Sequence, residues 1–132
     1  MISTRGRYAL RVMIDLAEQG EETYTPLKEV AERQRISKKY IEAIMTSLSK
    51  AGLVDAVHGK GGGYRLNRKP REYTLSEILR VTERDLAPVA CLEHGAAPCE
   101  YAGSCKTLPV WDKLNLMINE YLDGVTLEDL AG

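Results

Sequence analysis

Three cysteines, Cys91, Cys99 and Cys105, are the residues of this 132-residue chain best suited to covalent or metal chemistry, and they are spaced C-x7-C-x5-C. Zinc fingers want cysteines paired two to four residues apart. No C-x-x-C is present for a thioredoxin-like redox centre, and an odd number of cysteines excludes a closed disulfide framework. Thiolates are the usual protein ligands of iron–sulfur clusters. Pro88, Pro98, Gly95 and Gly103 keep the segment irregular and able to wrap an object. The other reading is buried structural cysteine, since a free thiol packs as a small apolar side chain. Glu93, His94, Gly95, Pro98 and Glu100 around them offer little core for that.

A second group can read nucleic acid. If Ile41, Ile44, Met45 and Leu48 face a core at helical spacing, Lys39, Glu42, Ala43 and Thr46 face outward and Lys38 flanks them. Lysine donates to guanine, glutamate accepts from cytosine N4, and a threonine methyl touches thymine. Glu42 repels phosphate, so on a DNA-facing surface its use is to read a base. Taken alone, the same residues also describe a solvated helix face. The glycine-rich run Gly59 to Gly63 fits neither phosphate-loop pattern, because Tyr64 stands where a third glycine belongs. It is a hairpin turn whose tip, His58 and Lys60, approaches DNA through glycines such as Gly62. With two histidines, no G-x-S-x-G and no H-E-x-x-H, an enzyme is not expected.

The elements that must position these groups follow from periodicity and punctuation. Residues 6–19 carry Tyr8/Ala9, Val12/Met13 and Leu16/Ala17 on one helical face, stopped by Gly20. Thr25-Pro26 predicts an N-cap and first position for a short helix with Leu27, Val30 and Ala31 inside. Ser37 caps a third helix ended by Gly52, which completes a helix-turn-helix pattern. Residues 53–58 and 64–67 are β-leaning around the glycine turn and form a wing. Thr74 and Glu77 have capping-box spacing for a helix to about Arg84. Thr107 opens a helix to about Asp123, and Thr126 with Asp129 caps one last turn.

Composition agrees. Hydrophobic residues are 44% and charged residues 28%, an ordinary globular balance for one domain. No apolar run approaches a membrane span. No signal peptide is visible after Met1, so a cytoplasmic protein without membrane contact is expected. The net charge of −1 hides +5 over residues 1–70 and −6 over residues 71–132, which assigns a polyanion to the first half.

The segments Ser3-Thr4-Arg5-Gly6-Arg7-Tyr8-Ala9-Leu10, Ile36-Ser37-Lys38-Lys39-Tyr40-Ile41-Glu42, Gly52-Leu53-Val54, Gly61-Gly62-Gly63-Tyr64 and Thr126-Leu127-Glu128-Asp129-Leu130 run over nearly the whole chain. In that order they resemble the IscR-type (Rrf-two) family of bacterial winged-helix transcriptional regulators, which also includes NsrR and CymR. The resemblance implies that the third helix, with Lys38, Lys39, Tyr40, Glu42 and Thr46, reads the major groove. It implies that the wing, with His58, Lys60 and Gly62, reads the minor groove. It further implies that Cys91, Cys99 and Cys105 bind an iron–sulfur cluster, 2Fe-2S ahead of 4Fe-4S. Two departures matter. IscR-like members place a histidine three residues after the last cysteine, where this chain has Leu108. Nitric-oxide sensors use an aspartate before the first-helix tyrosine, where this chain has Arg7. The fourth ligand is thus open among His94, Glu93, Glu100, solvent and a small thiol. Histidine at 58, where cluster-sensing relatives usually have arginine, makes the wing contact weaker or pH-dependent.

Between Leu108 and Leu122 the apolar residues are more than one core-facing stripe needs, which predicts a homodimer helix suited to palindromic DNA. The expected architecture is mainly α with a small β-hairpin. A winged helix-turn-helix region spans 1–84, a cysteine loop 85–106, and a long C-terminal dimerisation helix with a final turn 107–132, within a single structural domain. The expected function is a dimeric, sequence-specific regulator, a repressor, sensing iron–sulfur or redox status. The alternatives are a cluster-free repressor under a thiol switch or partner protein, and a small redox or metal-handling protein that never meets DNA.

Overall fold

The computed structural model describes every residue except 1, 84, 98, 99, 102 and 132. Helix α1 (Thr4–Gln19) begins where the Ser3 hydroxyl accepts the Gly6 N–H, and buries Ala9, Val12, Met13 and Leu16 on one stripe. Helix α2 (Leu27–Gln34) does not start as the sequence suggests. Pro26 occupies the N-cap position, and the Thr25 side chain makes no cap bond. Thr25 instead exchanges two 2.9 Å backbone hydrogen bonds with Tyr64. A residue before proline is biased toward extended backbone, and here that bias serves pairing with the wing.

The turn after α2 carries Arg35 at φ 55°, the one non-glycine residue with positive φ among the described residues. The next residue, Ile36, donates its N–H to the Ala31 carbonyl and sits buried in the core. Helix α3 (Lys38–Lys50) follows, with the Ser37 hydroxyl accepting the Tyr40 N–H as expected. Strands β1 (Val54–Val57) and β2 (Gly63–Leu66) pair antiparallel from Val54↔Leu66 to Val57↔Gly63, leaving residues 58–62 as the tip. A Cβ at Gly63 would lie 2.2 Å from the Thr25 carbonyl oxygen, so the seam between β2 and the α2 approach admits only glycine there.

Helix α4 (Leu75–Thr82) is capped by Thr74, but the reciprocal half of the predicted box is missing. Glu77 spends its carboxylate on a two-bond pair with Arg68 instead. The helix also ends earlier than predicted, with Glu83 as its C-cap. After a long irregular segment come α5 (Leu108–Asp123) and α6 (Leu127–Leu130), the latter with the full Thr126/Asp129 capping box. Backbone bonds from Leu75 to Val125 and from Leu127 to Tyr73 pin the C-terminal turn to the start of α4.

One core joins α1, α2, α3, the hairpin, Tyr73, Ile78 and Leu127. A smaller cluster of Leu75, Leu79, Leu86 and Leu122 fastens α5 to α4. Among the described residues no helix is long and apolar enough to cross a membrane.

Candidate nucleic-acid interface and cysteine loop

The apolar period of α3 does what the sequence predicts. Ile41, Ile44, Met45 and Leu48 are buried, while Lys38, Lys39, Tyr40, Glu42, Ala43 and Thr46 are exposed. The Thr46 hydroxyl is bonded back to the Glu42 carbonyl at 2.8 Å, which leaves its methyl as the group to offer a partner. Tyr40 stands edge-on to Tyr8 of α1, with ring centroids 5.4 Å apart and planes at 75°. The Arg11 guanidinium lies 5.2 Å from the Tyr8 centroid and also bonds Gln34 at the end of α2. Beneath this, Asp15 is buried and receives Arg33 through two bonds of 3.0 and 2.8 Å and the Gln34 amide at 2.9 Å. Helices α1 and α2 are thereby clamped where α3 rests on them.

On the wing, His58 and Lys60 are exposed at the tip. Gly62 has a duty to the turn itself: its N–H bonds the Gly59 carbonyl, and a Cβ would lie 2.1 Å from the Val57 carbonyl oxygen. The cations of the hairpin base are committed internally. Arg65 lies 4.4 Å from the Tyr24 ring centroid, and Arg68 pairs with Glu77 while stacking on Tyr73 at 4.4 Å. Tyr73, which the sequence did not single out, closes the base of the wing. Its hydroxyl donates to the Leu53 carbonyl at 2.8 Å and accepts the N–H groups of Asn67 and Arg68. Burial pushes this phenol up from its ordinary value, and those two donors and the Arg68 charge pull partly against it.

In the cysteine loop, Cys91 is exposed in the short turn Ala90–Leu92, and Cys105 is half-exposed just before α5. Cys99 lies outside the described residues. Thr107 does not cap α5 with its side chain; its hydroxyl lies 3.4 Å from the Cys105 sulfur. That hydroxyl, and then the N–H groups of Thr107 and Leu108, hold the Cys105 thiol below its ordinary value. Thiols must be deprotonated to bind iron, so the chemistry of this donor suits a metal site. Among the described residues no three His, Cys, Asp or Glu side chains are gathered closely enough to hold a metal ion. Leu108 is the first residue of α5.

Two acids flanking the loop were also invisible in the sequence. The Glu83 carboxylate is buried against Ser3, and the Asp85 carboxylate turns the loop back on itself. Asp85 accepts the N–H groups of Ala87 and His94 and faces His94 Nδ1 at 2.7 Å. The His94 backbone and ring bonds, ahead of the smaller Ala87 contribution, hold the Asp85 carboxyl at about 2.

A helix-turn-helix followed by a two-stranded hairpin defines the winged-helix class. Residues 2–132 match the Rrf2 family, described as iron-dependent transcriptional regulator, and the chain belongs to that family. The IscR regulator of Aliivibrio salmonicida is 37% identical over 129 residues, which are 98% of this chain and 76% of that protein. The structure of CymR, described as the global cysteine regulator of B. subtilis, superposes with a TM-score of 0.82 at 39% identity, covering 99% of this chain and 95% of that one. The IscR of T. potens superposes with a TM-score of 0.78 at 38% identity over 98% of this chain and 85% of its own. These relatives are transcriptional regulators rather than enzymes, and a redox protein unrelated to gene control gives way to them.

Proposed function

We propose that this chain is a dimeric, cytoplasmic repressor that binds a palindromic operator and senses iron–sulfur or redox status through a cluster on Cys91, Cys99 and Cys105. The observation that carries the DNA reading is the outward face of α3, where Lys38, Lys39, Glu42 and Thr46 are exposed above a wholly buried apolar stripe. An N-terminal recognition-helix surface of this kind meets base edges in the major groove, with Tyr40 held beside it. His58, Lys60 and the Gly62 turn form the second contact, at the minor groove or backbone. Residues 1–84 are the DNA-binding region, 85–106 the sensing loop and 107–132 the dimerisation segment.

The dimer reading is supported by α5. Val110, Leu114, Met117 and Tyr121 recur at intervals of four, three and four residues, and each is exposed. That stripe is the seam spacing by which helices pair. The cluster reading is supported by the exposed Cys91, by Cys105, whose thiol the Thr107 hydroxyl holds below its ordinary value, and by the match to an iron-dependent family. A bound cluster would supply an oxidant- and nitric-oxide-sensitive crosslink of the loop. The lowered Cys105 thiol together with likeness to a cysteine regulator also favours a second reading, a cluster-free repressor switched at a thiol.

The test has two arms. Binding to operator and random DNA across a salt series is expected to show a specific complex and steep salt dependence. Anaerobic reconstitution with iron and sulfide assays is expected to load the loop. Loading that fails while DNA binding persists selects the thiol-switch reading.

A further inference from the structure

We propose that the cavity between α4, the irregular loop and α5 binds a small zwitterion, an α-amino acid of glycine or alanine size. The inference goes beyond the DNA and cluster readings and depends on neither. The cavity measures about 100 Å³, and its polar walls are Arg80 of α4, Asp85 of the loop, and Asn115 and Asn119 of α5.

Opposite charges line this one small space without pairing. The ion pair that the Arg80 guanidinium makes is with Asp123 Oδ1 at 3.9 Å, too long for a hydrogen bond. Its N–H donors are therefore available to a ligand. The Asp85 side chain is only 9% exposed, and its carboxyl is ionised. Its Oδ2 is taken by the His94 N–H and ring, while Oδ1 receives the Ala87 N–H alone. A carboxylate has about four acceptor sites, so Oδ1 can accept once more.

The α5 wall is polar where an apolar one would pack better. Asn115 and Asn119 are half-buried on the side of the helix that brings Ile118 and Leu122 against α4. The Asn119 amino group donates to the Asn115 carbonyl at 2.8 Å and to its Oδ1 at 3.2 Å. That leaves the Asn115 amino group as a donor and Asn119 Oδ1 as an acceptor, neither with a protein partner among the described residues.

A carboxylate fits Arg80 and the Asn115 amino group. An ammonium fits Asp85 Oδ1 and Asn119 Oδ1. Leu86 and Leu92 complete the lining with an apolar wall that suits a hydrogen or a methyl group. A volume of about 100 Å³ is about three times a water molecule's share of the liquid. It is well below the roughly 300–1,000 Å³ of pockets for drug-sized ligands, which excludes a nucleotide or an aromatic amino acid. A lone anion would leave Asp85 facing it, and a lone cation would leave Arg80 facing it. A zwitterion answers both, and it ties α4, the loop and α5 through one molecule.

The experiment is titration of the 15N-labelled, cluster-free full chain with glycine and with L-alanine, followed by amide shifts. Both are expected to give saturable shifts confined to α4, the loop and α5. Acetate and ethylamine, each with half of the charge, and L-tryptophan, too large to enter, are expected to bind about tenfold more weakly or worse. Arg80→Gln, at an exposed side chain, is expected to weaken L-alanine by about tenfold or more with an unchanged melting temperature. Asn119→Leu, which fills the cavity, is expected to abolish the shifts while keeping the fold. No saturable shift with either amino acid makes this a water-filled cavity and overturns the proposal. Acetate binding as tightly as L-alanine makes it an anion site and overturns the zwitterion. Wild-type affinity in Arg80→Gln or in Asn119→Leu places the ligand elsewhere and overturns it too.

Discussion

The carboxylate of Glu83 closes on Ser3, accepting its backbone N–H at 2.7 Å and its hydroxyl at 2.6 Å across 80 residues of sequence. Glu83 is the last residue before the region that leads into the cysteine loop, and Ser3 is the cap of α1. The acid therefore sits at the positive end of that helix, where negative charge is favourable. Gly6 makes room for it, since a Cβ there would lie 2.3 Å from Glu83 Oε1. Helix α1 in turn presents Tyr8 to Tyr40 of α3. A short chain of contacts thus runs from the mouth of the loop to α3.

Glu83→Gln keeps the shape but weakens two charge-assisted bonds, and is expected to lower unfolding stability by about 1–2 kcal/mol. Gly6→Ala is expected to cost at least as much by displacing the carboxylate. Urea unfolding followed by circular dichroism measures both. Wild-type stability in either variant removes the clamp from the account of the fold.

Glu42→Ala tests base reading on α3. Loss of one good base contact should weaken operator binding by about 1–3 kcal/mol, while random-sequence binding stays level or strengthens as a repulsive charge leaves. Titrations on both DNAs decide it. Equal loss on the two would make Glu42 structural.

Lys60→Ala is the clean probe of the wing. One phosphate contact fewer should reduce the slope of log affinity against log salt by about 0.9, with the melting temperature unchanged. Gly62→Val is a poorer probe than glycine chemistry alone suggests. The 2.1 Å approach to the Val57 carbonyl means that it distorts the hairpin before DNA is present. Its spectrum and stability should both change.

For α5, Met117→Glu with Tyr121→Glu places charge on two residues that are 55% and 70% exposed in the isolated chain. Such charges leave the monomer fold intact but are incompatible with an apolar seam. Sedimentation at micromolar concentration should show a monomer, and affinity for a palindrome should fall to that of one half-site. A persistent dimer would move the interface elsewhere.

Tyr73 gives the wing base a pH signature. Its phenol is raised in the folded state, so its contribution is complete below the unfolded value of about 10 and is lost as pH rises through the higher folded value. Stability should decline in that alkaline range. Tyr73→Phe removes the decline and costs about 1–3 kcal/mol at neutral pH, because buried backbone groups lose their partner. An unaltered alkaline slope in Tyr73→Phe would assign the titration to another group.

Where partners are near in sequence, the fold was legible. Ser37 with Tyr40, Thr126 with Asp129 and the three-to-four residue period of α3 are local signals, and each produced the predicted element. Thr25 was misread because a cap and an extended bridge share the same local preference. The partner that decides between them, Tyr64, lies far along the chain. Of the candidate site, the outward face of α3 was legible in the sequence. Tyr73, Glu83, Asp85 and Asp15 act through hydrogen bonds to residues whose proximity only the folded chain creates. An irregular loop carries no period, so nothing in its spacing announced that Asp85 shapes it.

The seam between Thr25 and Tyr64 has a mechanical consequence. Sewn to the approach of α2 on one side and to β1 on the other, β2 cannot swing independently of the helix-turn-helix. Helix α3 and the wing then behave as the two jaws of a caliper locked at one opening. A signal that changes how such a chain grips DNA has little to gain by flexing the jaws. Under the proposed pairing through α5, its leverage lies in turning one whole caliper against another, with α5 as the axle.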